Sequence, residues 1–323
     1  MRVGLYFDLR NPAGWSRPWP DVYRGALELI DEAERLGIDS VWFSEHHFFD
    51  DGYLPQPLTM AAAVAARTSR VGLGTAIVVA PLHNPVSLAE QVAVVDILSN
   101  GRLTIGLGAG YVPKEFATYG ADINRRYSTT DQRVRELRSL LDEGGVTPAP
   151  LQRPFPIWLG YQGPQGARRA GRLGCGLLSL DPNLLEPYRQ GLVEGGHDPA
   201  SARMKGLVGI IVADDPDETF ERLLPHICHQ LNTYRAMAAL GTGRTPSEIT
   251  PEKVRAQRGR KGVVPPIEVL TPDDTVARLR ELTEGIPADE VYCWASVAAM
   301  PDDITARHVE LLCTRVRPAL AAG

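Results

Sequence analysis

The most constraining feature of the sequence is an alternation of short apolar runs with longer stretches of helical periodicity, which continues from one end to the other. Runs that are hydrophobic almost throughout are typical of parallel strands covered on both faces. The runs predicted as strands are residues 2–8, 40–44, 71–79, 102–107, 156–159, 176–180, 205–213 and 290–294. Repeated β–α units of this kind predict an α/β fold with a parallel sheet.

The segments between the strands carry helix signals. Helices are predicted over residues 21–36, 57–67, 85–98, 128–142, 164–173, 182–194, 216–240, 273–283 and 302–315. Polar and glycine-rich residues follow nearly every strand, whereas an open doubly wound sheet would concentrate them near one switch point. The sequence therefore favours a closed (β/α)8 TIM barrel, in one domain that covers residues 1–323.

Composition narrows the classes of function. The chain has 323 residues, enough for one α/β barrel, and its formal net charge of −5 argues against general nucleic-acid binding. No apolar run reaches the roughly 18–20 residues of a membrane span, and the N-terminal run is too short for a signal peptide. The four scattered cysteines contain no CxxC pair. These features predict a cytoplasmic protein with reduced thiols.

The segment 241–266 interrupts the unit between the predicted seventh and eighth strands. It combines Gly, Thr, Pro and Ser with several Lys and Arg residues. Long connections in compact domains are usually lids, binding loops or disordered stretches. We expect a mobile loop or lid here, whose basic residues could face an anionic cofactor at the barrel mouth. A solvated loop without such a role is the alternative.

Ser44-Glu45-His46-His47-Phe48, at the end of the second predicted strand, is the clearest candidate for chemistry. Active-site groups of α/β barrels lie at the C-terminal ends of strands, and imidazole ionises close to neutral pH. Adjacent residues of extended backbone point to opposite sides, so only one histidine faces the mouth. A histidine that is merely hydrogen-bonded in a loop is the alternative. Adjacent histidines have poor ligand spacing for zinc, and no metal site is predicted.

Two glycine-rich strand ends are candidates for ligand binding. Gly106-Leu107-Gly108-Ala109-Gly110 follows the fourth strand rather than the first, which argues against a dinucleotide-binding fingerprint. Its glycines favour close approach of the backbone to a flat or bulky ligand. The second segment, residues 160–163, precedes a predicted helix whose free N–H groups favour a phosphate, and a simple tight turn is the alternative.

Together these motifs resemble the bacterial luciferase-like flavin monooxygenase family over almost the whole chain. The matching segments are GIDSVWFSEHHF (37–48), GLGTAIV (72–78), HNPV (83–86), DILSNGR (96–102), GLGAGY (106–111) and PIWLG (156–160). Their order and spacing carry the resemblance. It implies a barrel with its active-site pocket at the strand C-termini and reduced flavin as the working cofactor.

The resemblance also implies roles for individual residues. His46 matches the catalytic histidine. Ala76 and Ile77 match the place where many members carry a non-prolyl cis peptide behind the flavin ring, and Thr75 before them is a further expected cofactor contact. The other expected cofactor contacts are Gly108, Gly110, Arg126, Tyr127, Gly160, Tyr161, Gln162 and Gly163. The expected substrate pocket contains the aromatic residues Phe48, Tyr111 and Trp294. A homodimer packed through the second and third helices is implied as well.

Ala109 departs from the family pattern. It occupies the position of a phosphate-binding arginine in bacterial luciferase and of a catalytic glutamate in the deazaflavin-linked sugar-phosphate dehydrogenase. The leading hypothesis is a two-component monooxygenase that acts on a small organic substrate with O2 and with reduced FMN from a separate flavin reductase. Hydride transfer with coenzyme F420 is the first alternative, and a non-catalytic flavin-binding protein is the second. Glu-His-His-Phe favours FMN, because deazaflavin members more often have Ser-Asp-His there.

Overall fold

The computed structural model describes residues 1–240, 243, 245–258 and 267–321. Its strands are Arg2–Phe7 (β1), Ser40–Phe43 (β2), Gly72–Thr75 (β3), Val78–Val79 (β4), Leu103–Gly108 (β5), Ile157–Leu159 (β6), Gly176–Leu178 (β7), Met204–Val208 (β8), Ile210–Val212 (β9), Glu268–Leu270 (β10) and Ala288–Trp294 (β11).

Most of these strands close into a parallel barrel. The hydrogen-bonded order is β3-β2-β1-β11-β8-β7-β6-β5-β4, and β3 also pairs with β5, which completes the ring. β4 follows β3 after a break at 76–77 and pairs with the same neighbour, β5. The two therefore form one interrupted barrel strand, and the predicted eight-stranded α/β barrel is confirmed.

Helices connect the successive barrel strands, and two more follow the last strand. They are Trp19–Leu36 (α1), Pro57–Ala65 (α2), Pro85–Leu98 (α3), Pro113–Tyr119 (α4), Arg126–Asp142 (α5), Gly163–Arg172 (α6), Leu185–Glu194 (α7), Pro216–Ala239 (α8), Pro251–Gln257 (α9), Pro272–Thr283 (α10), Asp302–Leu311 (α11) and Arg317–Ala321 (α12). Proline begins several of them. An N–H group in the first turn of a helix has no partner within the helix, so proline, which lacks this group, loses no hydrogen bond there. In the described part of the chain, no helix combines the length and apolarity that crossing a membrane requires.

The connection between β8 and the last barrel strand, β11, differs from the prediction. The predicted strand 205–213 divides at Gly209, because β8 stays in the barrel whereas β9 pairs with β10 in a separate two-stranded sheet. The short elements α4, α9 and β10 were not predicted. The predicted lid at 241–266 lies partly outside the described residues; its described part contains α9. A role as a lid stays a prediction, as does the single domain.

Aromatic side chains fill part of the barrel interior. Tyr6, Trp42, Tyr292 and Trp294, from β1, β2 and β11, belong to one buried cluster. The rings of Trp42 and Tyr292 stack with their centroids 4.7 Å apart, and Tyr6 meets Trp294 edge-on at 4.6 Å. Because side chains pack the inside of the barrel, a ligand is expected at the strand ends.

Candidate active site

His46 lies just beyond β2 at the C-terminal mouth of the barrel and is bonded to a buried carboxylate. Its Nδ1 is 3.0 Å from Glu115 Oε1, and the same oxygen accepts the backbone N–H of His47 at 2.8 Å. Glu115 is fully buried in the first turn of α4. An ionised carboxylate only accepts hydrogen bonds, so with Glu115 ionised Nδ1 carries the proton in this pair. Nε2 of His46 is then the ring atom that can exchange a proton with a ligand.

The second histidine is held by a different carboxylate. His47 Nε2 lies 2.8 Å from Glu45 Oε1, and its Nδ1 is 3.1 Å from Tyr119 OH. Glu45 also accepts from His83 Nε2 at 2.8 Å and from the Val79 N–H at 2.6 Å. Burial by itself would raise the pKa of Glu45, but the bonds from both histidines and the Val79 amide hold that pKa below its usual value. His47 therefore has both ring nitrogens bonded within the protein.

The interrupted barrel strand contains a cis peptide between Ala76 and Ile77, where the family resemblance implies one. The Ala76 N–H donates to Phe43 O at 2.8 Å, so the break lies beside the end of β2. Ala76 and Ile77 are partly exposed, whereas their chain neighbours on both sides are buried. The break thus presents a small accessible surface next to the strand that leads to His46.

Gly108 and Gly160 make room for the side chain of Ile77. A Cβ atom at Gly108 would lie 2.6 Å from Ile77 Cδ1, and one at Gly160 would lie 2.7 Å from Ile77 Cγ2. Both distances are shorter than close packing allows. Glycines in these segments are predicted to make room for a ligand, but the Ile77 side chain already accounts for these two. Their contact with a cofactor stays a prediction.

Thr75 and Gly110 are also engaged with the protein. Thr75 Oγ1 donates to Gly106 O and accepts from Gly106 N, each at 2.9 Å. Gly110 has a φ of 69° and lies against Val79. These contacts join the interrupted strand to β5 and to the turn after it. A role for either residue toward the cofactor stays a prediction.

The predicted phosphate-side residues gather around the start of α6. This helix begins at Gly163, and the exposed Gln162 before it forms no side-chain cap. Tyr161 is buried, and its ring meets that of Tyr127 with the centroids 5.6 Å apart. The Arg126 guanidinium lies over the Tyr127 ring at 4.8 Å. Free N–H groups at a helix start and a nearby arginine are features that suit a phosphate.

A buried arginine and two tyrosines form a wall next to His46. The side chain of Arg10 is fully buried, and its guanidinium lies over the rings of Tyr53 and Tyr234 at 4.7 and 4.6 Å. The same tyrosines contact the His46 ring, with centroid distances of 4.8 and 6.2 Å. The two tyrosine hydroxyls are 2.8 Å apart. This wall is a candidate surface for substrate.

One face of α8 bonds to the loops after β1 and β2. The pairs are His229 with Asp51, Gln230 with Asp8, Thr233 with Arg10, and Tyr234 with Tyr53. Burial raises the pKa of Asp8 to about 6 against the opposing charge of Arg10. Burial alone would also raise the pKa of Asp51, but His229 and Arg10 hold it below its usual value. Helix α8 therefore contributes directly to the walls of the site.

The three predicted pocket residues occupy different places. Tyr111 meets the His46 ring edge-on, with the centroids 5.2 Å apart. Trp294 lies deeper, within the interior aromatic cluster. Phe48 is 42% exposed and lies beside His47 at 6.0 Å. Of the three, Tyr111 is the residue in ring contact with His46.

Several residues of this site are not predicted by the sequence patterns. Glu115 fell outside the predicted elements, although Pro113 followed by an acidic residue in the first turn is a helix-start signal. Arg10 and Asp51 carry no local signal, because their partners on α8 are 223 and 178 residues away in sequence. His229 likewise carries no local signal, and the structure places it on Asp51.

Barrels of this type carry their chemistry where the strands end, and this one has a carboxylate-bound histidine there, which defines an α/β-barrel enzyme. Residues 1–286 match the family model of the luciferase-like monooxygenases. The chain belongs to that family of oxidoreductases, whose members include flavin-dependent monooxygenases and coenzyme F420-dependent enzymes.

Three similar proteins illustrate the range of the family. The F420-dependent glucose-6-phosphate dehydrogenase of Amycolatopsis mediterranei is 29% identical over 219 residues, which cover 61% of this chain and 64% of that protein. The oxygenase component of the flavin-dependent trigonelline monooxygenase of Acinetobacter baylyi is 32% identical over 193 residues, 54% of this chain and 53% of that protein. The crystal structure of the monooxygenase RslO1 from Streptomyces bottropensis has a TM-score of 0.80 at 26% identity and covers 98% of this chain and 99% of its own. The alignments with the two curated relatives thus span between half and two thirds of their length.

Proposed function

We propose that this protein is a two-component monooxygenase that uses reduced FMN and O2 to oxidise a small organic substrate, with His46 as its catalytic residue. The observation that carries the proposal is the bond between His46 Nδ1 and the buried Glu115, close to the accessible break at Ala76–Ile77. A histidine with one nitrogen fixed and the other free is suited to general acid–base catalysis. A purely flavin-binding protein would have no need of such a pair.

The residues at the barrel mouth fit an FMN cofactor. The Ala76–Ile77 segment offers a surface for a flat ring, and the start of α6 with Arg126 offers donors to a terminal phosphate. Glu115 Oε2 is buried and has no hydrogen-bond partner among the described residues, so this carboxylate keeps acceptor capacity that those residues do not use. Reduced flavin, when bound, supplies the two electrons that oxygen activation requires.

The protein's own part in the reaction is to hold and deliver a proton at His46 Nε2. Glu115 keeps the other proton on Nδ1 and orients the ring so that Nε2 is the nitrogen left for proton transfer. Tyr53 and Tyr111 pack against the imidazole and limit the access of water to it. Glu115 is thus a positioning residue that acts through His46.

Hydride transfer with coenzyme F420 is the second candidate function, because this chain is similar to an F420-dependent dehydrogenase. The Glu-His-His-Phe segment favours FMN. Ala109 is buried and is neither the phosphate-binding arginine nor the catalytic glutamate expected at its position. Other residues must therefore perform that role in this protein. Arg126 is our candidate for the phosphate.

Two kinds of partner belong to the proposal. A separate flavin reductase would supply reduced FMN, as the name of the trigonelline oxygenase component suggests for that enzyme. A second copy of the chain would pack on α2 and α3. Helix α3 supports this, because the apolar residues Val86, Val94 and Leu98 on it are about half exposed. A cytoplasmic location is supported by the four cysteines, which are all buried, free thiols.

Replacement of His46 tests the proposed catalysis. We expect His46→Ala to bind reduced FMN with little change in affinity while the oxidation of bound reduced FMN by O2 changes its rate and its pH dependence. His197→Ala is the matched control, since His197 lies near the end of α7 and away from the barrel mouth. Identical oxidation kinetics in His46→Ala and the unmodified protein would favour a binding protein without catalysis.

The dimer has its own test. Val94→Glu combined with Leu98→Glu places two charges on the exposed face of α3 and should convert a dimer into a monomer in size-exclusion chromatography with light scattering. Val193→Glu, on an exposed apolar residue of α7, is the control and should leave the mass unchanged. An unmodified protein that is monomeric would contradict this part of the proposal.

A further inference from the structure

Glu45 has no role in the proton chemistry, yet it is the most heavily bonded carboxylate at the barrel mouth. Its side chain has no exposed surface. Oε2 accepts the Val79 N–H at 2.6 Å, and Oε1 accepts from the imidazoles of His47 and His83, each at 2.8 Å. A buried carboxylate with three donors has its acceptor capacity largely satisfied within the protein. It is therefore a fixed part of the site rather than a group that awaits a ligand.

The three donors lie on the two segments that frame the accessible break. Val79 is at the end of β4, directly after the Ala76–Ile77 segment, and His83 immediately precedes the N-cap of α3. Glu45 itself follows β2. One side chain thus ties the end of β2 to both the beginning and the end of the turn that joins β4 to α3.

His47 connects this arrangement to the proton-handling pair. Its side chain bonds to Glu45, whereas its backbone N–H bonds to Glu115, which also holds His46. The two carboxylates therefore fix the same residue, one through its side chain and the other through its backbone. Glu115 sets the position of His46, and Glu45 sets the position of the segment across which the cofactor is proposed to lie.

We infer that Glu45 is a positioning residue for the cofactor, which holds the Ala76–Val79 segment in the geometry that binds the flavin through its bonds to Val79, His83 and His47. This inference rests on the proposed function, because it assigns the accessible break to the cofactor. A carboxylate with a merely structural role would change the stability of the fold but leave the affinity of the folded protein for flavin unaltered.

The test is the variant Glu45→Gln. Its amide has one acceptor oxygen for donors that now use two, so either the Val79 N–H or the histidine donors must face an NH2 group. We expect the dissociation constant for reduced FMN, measured anaerobically by quenching of the protein's tryptophan fluorescence, to rise about tenfold or more, which corresponds to about 1.4 kcal/mol. Hydrogen exchange followed by mass spectrometry should become faster in the peptide that contains Val79.

Tyr119→Phe is the matched control. It removes the hydroxyl that bonds to His47 Nδ1 and leaves all three bonds of Glu45 in place. Its FMN affinity should stay within about twofold of the unmodified protein. If Glu45→Gln does not fold, His83→Ala replaces it, since His83 is partly exposed and its loss removes one of the three bonds. We expect His83→Ala to weaken FMN binding by about threefold.

The outcomes distinguish failure of the inference about Glu45 from failure of the proposed function. Wild-type affinity in a folded Glu45→Gln variant, or in His83→Ala where the first does not fold, overturns the inference and leaves the proposed function standing. An unmodified protein that binds neither reduced FMN nor coenzyme F420 overturns both. Weaker binding in Glu45→Gln with unchanged binding in Tyr119→Phe supports the inference.

Discussion

His46 Nδ1 lies 3.0 Å from Oε1 of the fully buried Glu115, and that oxygen also accepts the backbone N–H of His47. One carboxylate atom therefore fixes both the ring orientation of the first histidine and the backbone of the second. This relationship predicts one tautomer of His46, which can be tested without knowledge of the substrate.

Replacement of Glu115 should change the tautomer of His46. Glu115 holds the proton on Nδ1, so the 15N spectrum of the labelled protein should show a protonated Nδ1 for His46. Glu115→Gln offers an amide that can either accept or donate, and the Nδ1-protonated form should lose its dominance. We expect the proton-dependent step of the reaction to slow by roughly tenfold or more. An unchanged tautomer in Glu115→Gln would show that the carboxylate does not control His46.

The contact between Ile77 and Gly108 predicts a double-mutant effect. Gly108→Ala places a Cβ 2.6 Å from the end of the Ile77 side chain, so that side chain must shift. Overpacking of this kind typically costs about 1–3 kcal/mol. Ile77→Ala removes the obstructing atoms, and the double variant should recover part of the loss. Urea unfolding of the four proteins measures the coupling, and strictly additive effects would contradict the contact.

Arg10 should be essential for stability, whereas Arg17 should not. The buried Arg10 pairs with Asp51 at 3.0 Å and lies 3.2 Å from Asp8, and neither carboxylate side chain is more than 5% exposed. Arg10→Met removes the arginine from both carboxylates, although Asp51 keeps its bond to His229, and the loss of a buried partner costs about 3–5 kcal/mol. Arg17→Met breaks an ion pair with Asp302, whose side chain is 77% exposed. Its cost should stay within about 1 kcal/mol in the same unfolding experiment.

His308 predicts how stability depends on pH. It is fully buried; Nδ1 accepts the Val212 N–H and Nε2 donates to Trp294 O. Burial lowers the pKa of His308 from 6.5 to about 4, with the bond to Trp294 opposing the shift. Between these values the unfolded chain binds more protons than the folded one, so this contribution to stability is lost as pH falls from 6.5 to 4.

The pKa shift of His308 also sets the size of its effect on the free energy of unfolding. Its full magnitude is about 3 kcal/mol. Asp8, whose pKa is raised, acts in the opposite direction over an overlapping range, so the effect is read as the difference between His308→Gln and the unmodified protein. The variant should lose the extra acid sensitivity between pH 6.5 and 4, and parallel pH profiles for the two proteins would contradict the prediction.

Local patterns predict the barrel because each β–α unit carries its own signal. Continuous apolar runs identified the barrel strands, and proline at helix starts identified several of the helices. The patterns were less informative where one run contained two elements. Residues 205–213 read as a single strand, but Gly209 separates β8 in the barrel from β9 in the second sheet.

The site was predicted less completely, because its bonds join distant segments. The family resemblance pointed to His46 and to the Ala76–Ile77 peptide, which are local features of a motif. Neither Glu115 on the short helix α4 nor the face of α8 that meets Arg10 could be assigned, since their significance depends on which residues the barrel brings together. The buried Lys205–Glu290 pair, at 3.1 Å between neighbouring strands, is a similar case.

The most direct test of the account is to mix the purified protein anaerobically with reduced FMN and then with oxygenated buffer, while the flavin spectrum is followed by stopped flow. We predict saturable binding of reduced FMN and a course of oxidation that differs from that of free flavin. The His46→Ala variant should alter that course. Oxidation at the rate of free flavin, together with tight binding of coenzyme F420, would contradict the monooxygenase proposal and favour hydride transfer.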